Sequence, residues 1–418
     1  MKYLLLLLSA LALFANEDLN LIKEAYNNGL KPVPSNFESL LKALNTDKKS
    51  LSKDKISLGK KLFFEKDLSL NKDISCATCH SFNKGGADAI PTAIGDKNQE
   101  NPFHLNTPTV LNTAFSKKLF WNGSSESLAH QATGPLQAPF EMAITPKLAE
   151  KRIKEKEGYE KLFNNVYGED SITFKNIANA IAAYEKTLIT HGRFDQYLLG
   201  DYNALTKKEK NGLKLFIDKG CVGCHNSEGL GGQVLRKFPL TYHDIWSLAK
   251  PKEIQALQNK YTKFIKKLNQ KNIKSSIIKS KALHNNFSSQ EIHLLEKGFF
   301  NTISKEIQKN IITSTSCNEC HTDNRYEIKQ ELLSTISFPF ENIGGFLGAK
   351  NTNKYFRVPL LRNIVQTKPY FHNGSIEKLE DAIKLMARHQ SRANITDSEI
   401  EKIISFLKAV DGELIQYK

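Results

Sequence analysis

Apolar residues recur at three- and four-residue intervals through much of this chain, and strict alternation of apolar and polar positions is scarce. From Ser171 onward, Ile177, Ala180, Ile181 and Tyr184 fall on one face of a 3.6-residue period, which predicts an amphipathic helix. Thr206-Lys-Lys-Glu209 is a capping box. Its hydroxyl and carboxylate, three residues apart, each satisfy a backbone N–H left free in a first helical turn. Leu213, Leu215 and Phe216 follow it. Thr396-Asp-Ser-Glu399 repeats the box before Ile400, Ile403, Ile404 and Leu407, predicting a last helix. Amphipathic stretches also run over 253–268 and 289–307. Between these segments, 85–108 and 338–353 are rich in Gly, Pro and Asn and read as long ordered loops, a kind that usually carries function. The expected fold class is all-α.

The cysteines sharpen this picture. All six fall in three copies of one pentapeptide: Cys76-Ala-Thr-Cys79-His80, Cys221-Val-Gly-Cys224-His225 and Cys317-Asn-Glu-Cys320-His321. C-x-x-C-H attaches c-type haem, the two thiols as thioethers and the imidazole as proximal iron ligand. A single copy would also read as a zinc half-site or a redox dithiol. Three intact copies with no cysteine left over favour three covalently bound haems. The predicted helix of Leu213 to Phe216 leads directly into Cys221, and a closing helix after such a motif is cytochrome c organisation. A chain of 418 residues fits two or three domains of this kind.

Lys2, the apolar run Tyr3 to Phe14 and Ala15 predict a signal peptide over 1–15, too short to span a bilayer; an uncleaved anchor is the alternative. Haem attachment outside the bacterial cytoplasm agrees, so the expected location is the periplasm, without a transmembrane span in the mature form. The net charge is +15, and 236–312 concentrates fifteen Lys/Arg against five Asp/Glu. An exported haem protein gives this excess no nucleic-acid role. It reads either as a solvated lysine face or as a docking surface that steers an acidic redox partner.

Further motifs carry a family resemblance. The first block is Ile74 to His80, Gly85-Gly86-Ala87-Asp88, Pro91-Thr-Ala-Ile-Gly95, Asn106-Thr-Pro-Thr-Val-Leu-Asn112, Phe120-Trp121-Asn-Gly123, Gln131, Gly134-Pro135 and Glu141-Met142. A second is Gly220 to His225 with Gly231-Gly232. The third is Phe356-Arg-Val-Pro-Leu-Leu-Arg-Asn363, Thr367, Pro369-Tyr-Phe-His372-Asn-Gly374 and Met386. In this order they resemble the bacterial di-haem cytochrome c peroxidase family, which includes the MauG-type enzymes.

The resemblance implies two cytochrome c-like domains, a peroxidatic one over 16–190 and an electron-transfer one over 191–418. His80 would be proximal ligand of the peroxidatic haem, Glu141 the acid/base residue, Gln131 a positioning residue, and Trp121 would lie between the haems. His225 and Met386 would be the axial pair of the electron-transfer haem; MauG-type enzymes carry a tyrosine where Met386 stands. Asn106, Thr367 and Pro369 match an inter-domain calcium site. Hydrogen peroxide would be the substrate, a small c-type cytochrome or other periplasmic redox protein the donor, and a homodimer the family's common assembly.

Two features depart from the pattern. Asp96 stands where many members hold a removable distal histidine, so the first haem is expected to be open when oxidised; His104, in a slightly longer loop, is the alternative ligand. An insertion over about 240–340 interrupts the second domain and carries Cys317, Cys320 and His321. It is expected to be helical and to relay electrons through a third haem; a second substrate site is the alternative. His243, His284 and His293 are the candidates for its second axial ligand, with His293 favoured. The competing functions are a non-catalytic multihaem electron carrier and a MauG-like oxidase.

Overall fold

The computed structural model describes residues 17–238, 259–260, 263–264, 355–391 and 393–417. The expected signal peptide, nearly all of the insertion, the third C-x-x-C-H motif, His243, His284 and His293 lie outside the described residues.

The first half of the chain contains α1 (17–27), α2 (Phe37–Ala43), α3 (Lys53–Phe63), α4 (Cys76–Cys79), α5 (Leu128–Gln137), α6 (Pro146–Glu155), α7 (Tyr159–Tyr167) and α8 (Phe174–Glu185). After β1 (Thr190–Gly192) come α9 (Arg193–Leu198), α10 (Lys207–Asp218) and β2 (Leu235–Lys237). The last described elements are β3 (Tyr355–Arg357), α11 (Leu379–Met386), α12 (Asp397–Val410) and β4 (Gly412–Leu414). The fold is mostly helical, as the periodicity predicts, but two short antiparallel ribbons qualify the all-α expectation. β1 pairs with β4, Thr190 opposite Leu414, and β2 pairs with β3, Leu235 opposite Arg357. Three-residue strands carry too little period-two pattern to be read from sequence.

The helix signals resolve as their chemistry requires. Thr206 and Thr396 both form reciprocal capping boxes, with Glu209 and Glu399. The helix expected from Ser171 begins at Phe174, because the Thr173 side chain accepts from Asn176 N–H and caps it there.

Two helix pairs organise the molecule, α3 against α8 and α10 against α12, and they are built alike. A Cβ on Gly59 would lie 1.8 Å from the Ala180 carbonyl oxygen, and one on Gly212 would lie 2.0 Å from that of Lys402. Only glycine permits such close crossings. Around the first pair Leu58, Leu62, Ile177, Ile181 and Tyr184 form an apolar core; around the second, Leu213, Phe216, Ile403, Phe406 and Val410 do so. Each pair frames one C-x-x-C-H motif. Although the sequence places residues after 16 with the first unit, Ile22, Ala25 and Leu30 pack into the second core. Asp18 fastens α1 there, accepting from Tyr197 Oη at 2.9 Å and pairing with Lys210 Nζ at 2.6 Å.

A gap-free internal duplication joins the halves. Asn106-Thr-Pro-Thr-Val-Leu-Asn112 corresponds to Arg357-Val-Pro-Leu-Leu-Arg-Asn363, and Trp121-Asn-Gly123-Ser to His372-Asn-Gly374-Ser; α5 and α11 follow in register. The backbone repeats too, with φ of 61° and 59° at Asn112 and Asn363, and 59° and 70° at Phe120 and Phe371. The copies clasp each other reciprocally. Asn106 N–H donates to the His372 carbonyl at 2.8 Å, and Arg357 N–H to the Trp121 carbonyl at 2.8 Å.

Candidate active site

Each of the two described motifs is a single tight turn followed by its histidine. His80 N–H closes on the Cys76 carbonyl and His225 N–H on that of Cys221, both at 2.9 Å. Cys76, Cys79, Cys221 and Cys224 are unpaired thiols, as thioether attachment requires. His80 Nδ1 lies 3.0 Å from the Gly86 carbonyl oxygen and His225 Nδ1 lies 3.2 Å from that of Leu230. A carbonyl can only accept, so Nδ1 carries the proton and Nε2 keeps its lone pair for a metal. Burial favours the neutral rings, holding His80 below the ordinary histidine range and pushing His225 down to about 4. Both motifs therefore fit c-type haem.

What surrounds the two motifs differs. In the first unit Gln131 lies on α5 and Glu141 in the turn beyond it. Backbone bonds fix that turn: Glu141 N–H donates to Ala138 at 2.9 Å, Met142 N–H to Pro135 at 3.1 Å, and Asp96 N–H to the Glu141 carbonyl at 2.8 Å. The Glu141 carboxyl and the Gln131 amide bond to no protein group among the described residues. Burial pushes Glu141 up to about 7. Gly95 packs against the Glu141 backbone, and Cys79 Sγ lies 3.8 Å from the carbonyl of the preceding Ile94, which places the Glu141 turn beside the first attachment site. Such a carboxyl can accept and return a proton near neutrality.

Asp96 is buried, and its Oδ1 accepts from Asn71 Nδ2 at 2.5 Å, so its carboxylate is engaged by protein. His104 is half-buried with a positive φ of 50°, and its Nδ1 has no partner among the described residues. Met142 is buried in the first apolar core, where its carbonyl accepts from Leu70 N–H at 2.8 Å.

In the second unit Met386 ends α11, at the point where the backbone loosens into a π-turn over Ala387–Ser391, a distortion common at functional sites. Met386 packs on the cluster containing Trp121, Phe356, Tyr370 and Leu385, so Trp121 and Met386 share one apolar body. Trp121 Nε1 donates to the Asn106 carbonyl at 2.8 Å, and its ring meets His372 edge-on at 6.2 Å. Asn106 Nδ2 donates to Ile90 at 2.7 Å, which leaves the amide oxygen as the end suited to a cation. Thr367 Oγ1 donates to the Ile364 carbonyl at 3.2 Å, and Pro369 follows a cis peptide bond.

Two buried charges were not singled out by the motifs. The Arg357 guanidinium lies 5.7 Å over the Trp121 ring, and its Nε donates to the Phe120 carbonyl at 3.2 Å. It has no carboxylate partner among the described residues, and burial pushes it down to about 10. A haem propionate has the chemistry to pair with it. Glu185 is buried at the end of α8, and its Oε2 has no partner among the described residues. The available signal was a carboxylate one residue past Tyr184 in a run otherwise committed to the core.

Comparison with known proteins agrees with this arrangement. The family described as di-haem cytochrome c peroxidase matches residues 53–203. Cytochrome c551 peroxidase of Nitrosomonas europaea is 31% identical over 366 residues, covering 87% of this chain and 82% of the relative. The protein of the same description from Pseudomonas aeruginosa is 31% identical over 386 residues, covering 92% and 84%. In fold, the chain is similar to a crystal structure of a MauG-like protein associated with microbial copper homeostasis, with a TM-score of 0.55 at 21% identity over 87% of this chain and 91% of that one. The chain thus belongs to the di-haem cytochrome c peroxidase family and is a haem-dependent peroxidase, an oxidoreductase.

Proposed function

We propose that hydrogen peroxide is reduced to two waters at the haem held by Cys76, Cys79 and His80. Electrons come from a small c-type cytochrome or another redox-protein donor, through the haem held by Cys221, Cys224, His225 and Met386. The observation that carries this reading is a contrast. Unpartnered Gln131 and Glu141 accompany the first motif, whereas a methionine from the matching helix accompanies the second.

When bound, the first haem supplies the electrons and the binding position for peroxide. Glu141 takes the proton from the inner peroxide oxygen and returns it to the outer one, which then leaves as water. Gln131 orients peroxide by donating from its amide. A total of two protons and two electrons completes the second water. Pro135 on α5 stands where α11 carries Met386, and proline offers no ligand. That equivalence, together with the engagement of Asp96 by Asn71, supports a first haem that needs no ligand ejection. Trp121, packed with Met386, lies on the electron path.

Asn106, Thr367 and Pro369 are the proposed calcium ligands, holding the clasp between halves in register. Cys317, Cys320 and His321 would carry the third haem, with His293 opposite and a relay role between donor and second haem. Export by residues 1–15 to the periplasm, and homodimerisation, belong to the same reading. Stopped-flow mixing of the haem-loaded protein with peroxide, oxidised and pre-reduced, followed by turnover with a reduced cytochrome, tests it. Rapid reoxidation with sustained donor consumption is expected. Haems that exchange electrons but ignore peroxide in both states would make the protein a carrier.

A further inference from the structure

The two helix pairs allow a residue-by-residue comparison around the motifs. Gly59 faces the Ala180 carbonyl and the Tyr184 Cβ; Gly212 faces the Lys402 carbonyl and the Phe406 Cβ. Tyr184 is therefore the counterpart of Phe406, and the next residue, Glu185, is the counterpart of Leu407. Leu407 sits in the second apolar core at 3% exposure. Glu185 is buried almost as deeply, at 5%, yet it is a carboxylic acid that makes no side-chain hydrogen bond or ion pair among the described residues. Packing alone is satisfied by leucine in the sister unit, so it does not account for an acid here. Cys76 lies within electrostatic reach of both Glu185 and Glu141.

We infer that Glu185 is a redox-linked proton site of the first haem: it binds a proton from solvent when that haem gains an electron and releases it when the electron leaves. The step balances as one electron from the donor to the iron and one solvent proton to the carboxylate. Its physical basis is charge. An added electron on the cofactor disfavours a nearby carboxylate, so reduction raises proton affinity at Glu185, and protonation reciprocally favours reduction. Burial has already pushed the carboxyl up to about 8, which puts the exchange near neutral pH.

Of the charged groups on the elements packed against α8, Glu150 on α6 accepts from Phe174 N–H at 2.7 Å, at the opposite, N-terminal end of the helix, and four others have partners of their own. On α3, Lys55 lies over the Tyr167 ring and Lys61 over Tyr159. On α5, His130 Nδ1 bonds Ser125 Oγ at 2.9 Å; on α6, Arg152 donates to the carbonyls of Asp67, Ser69 and Leu70. Cys76, Cys79, Asp88 and Glu141 are the titratable groups at the same attachment site; the two thiols are consumed by the thioethers, and Asp88 Oδ2 accepts from Thr107 Oγ1 at 2.5 Å. The inference rests on the peroxidatic reading of this unit, but its test uses no peroxide.

Spectroelectrochemical titration of the haem-loaded protein at a series of pH values measures the coupling directly. Around pH 8, the first haem's reduction equilibrium should weaken by about threefold per pH unit as pH rises. Glu185→Gln should flatten that dependence around pH 8, whereas Glu141→Gln should remove only the part that sets in around pH 7. An unchanged slope in Glu185→Gln overturns the inference. Should that variant fail to load haem, infrared difference spectra of the unaltered protein decide: a protonated carboxyl band must appear on reduction, and its absence overturns the inference equally.

Discussion

Position by position, the half around His80 and the half around His225 share a glycine-mediated helix crossing, a C-x-x-C-H turn, and a proximal imidazole anchored through Nδ1 to a carbonyl. Three of the places where they part lie around the motifs. Pro135 stands opposite Met386, Glu185 opposite Leu407, and Trp121 opposite His372. The first half gathers acids without partners; the second gathers a thioether and apolar side chains. A common scaffold suits haem in both halves, and in the proposed reading a few positions around it separate peroxide chemistry from electron relay.

The largest effect expected from attacking this contrast is at Glu141. Glu141→Ala should lower peroxide turnover by roughly 10²–10⁴-fold while keeping full haem content, measured by steady-state assay and haem quantitation. Turnover within a factor of two or so of the unaltered protein would remove Glu141 from the mechanism.

Making the halves more alike is the converse experiment. Pro135→His offers a ligand where Met386 stands in the other copy, and should convert the first haem to a six-coordinate, low-spin spectrum with at least about tenfold slower peroxide reaction. An unchanged spectrum would mean that the helix equivalence does not extend to the iron.

Acid titration sharpens the same contrast. Glu141 must be ionised to accept the peroxide proton, and its carboxyl is pushed up to about 7. The rate should therefore rise with pH through that value, by about tenfold between pH 6 and pH 8. A flat profile in the unaltered enzyme would contradict the role. Second-haem reduction by donor, followed separately, should not share this dependence.

The smallest effects concern the shared scaffold. Gly59→Ala and Gly212→Ala each force a methyl against a backbone carbonyl, so each should cost at least about 1–3 kcal/mol. That corresponds to a loss of roughly several degrees in Tm by calorimetry. A large loss for one and none for the other would show that the two crossings are not equivalent in energy.

Much of this was legible in the chain because its causes are local. C-x-x-C-H binds covalently through residues one turn apart, and the Thr206 and Thr396 capping boxes close within three residues. The resemblance carried Gln131, Glu141 and Met386 by motif order, and the structure gives those positions fixed surroundings. Other features depend on residues far apart in sequence. Asp96 is held by Asn71, and α1 packs against α10 and α12 rather than the unit that follows it. The clasp of Asn106 on His372 and Arg357 on Trp121 needs both copies folded and facing.

By itself the sequence determined the haem-attachment chemistry, the helical class and the family, because covalent motifs, caps and periodicity are written in neighbouring residues. Only the tertiary structure decided that Glu185 is buried without a partner among the described residues, that Arg357 lies over Trp121, and that Pro135 and Met386 are counterparts. Burial and pairing are properties of the assembled packing, where desolvation sets the charge state of an acid and distant segments supply or withhold its partners.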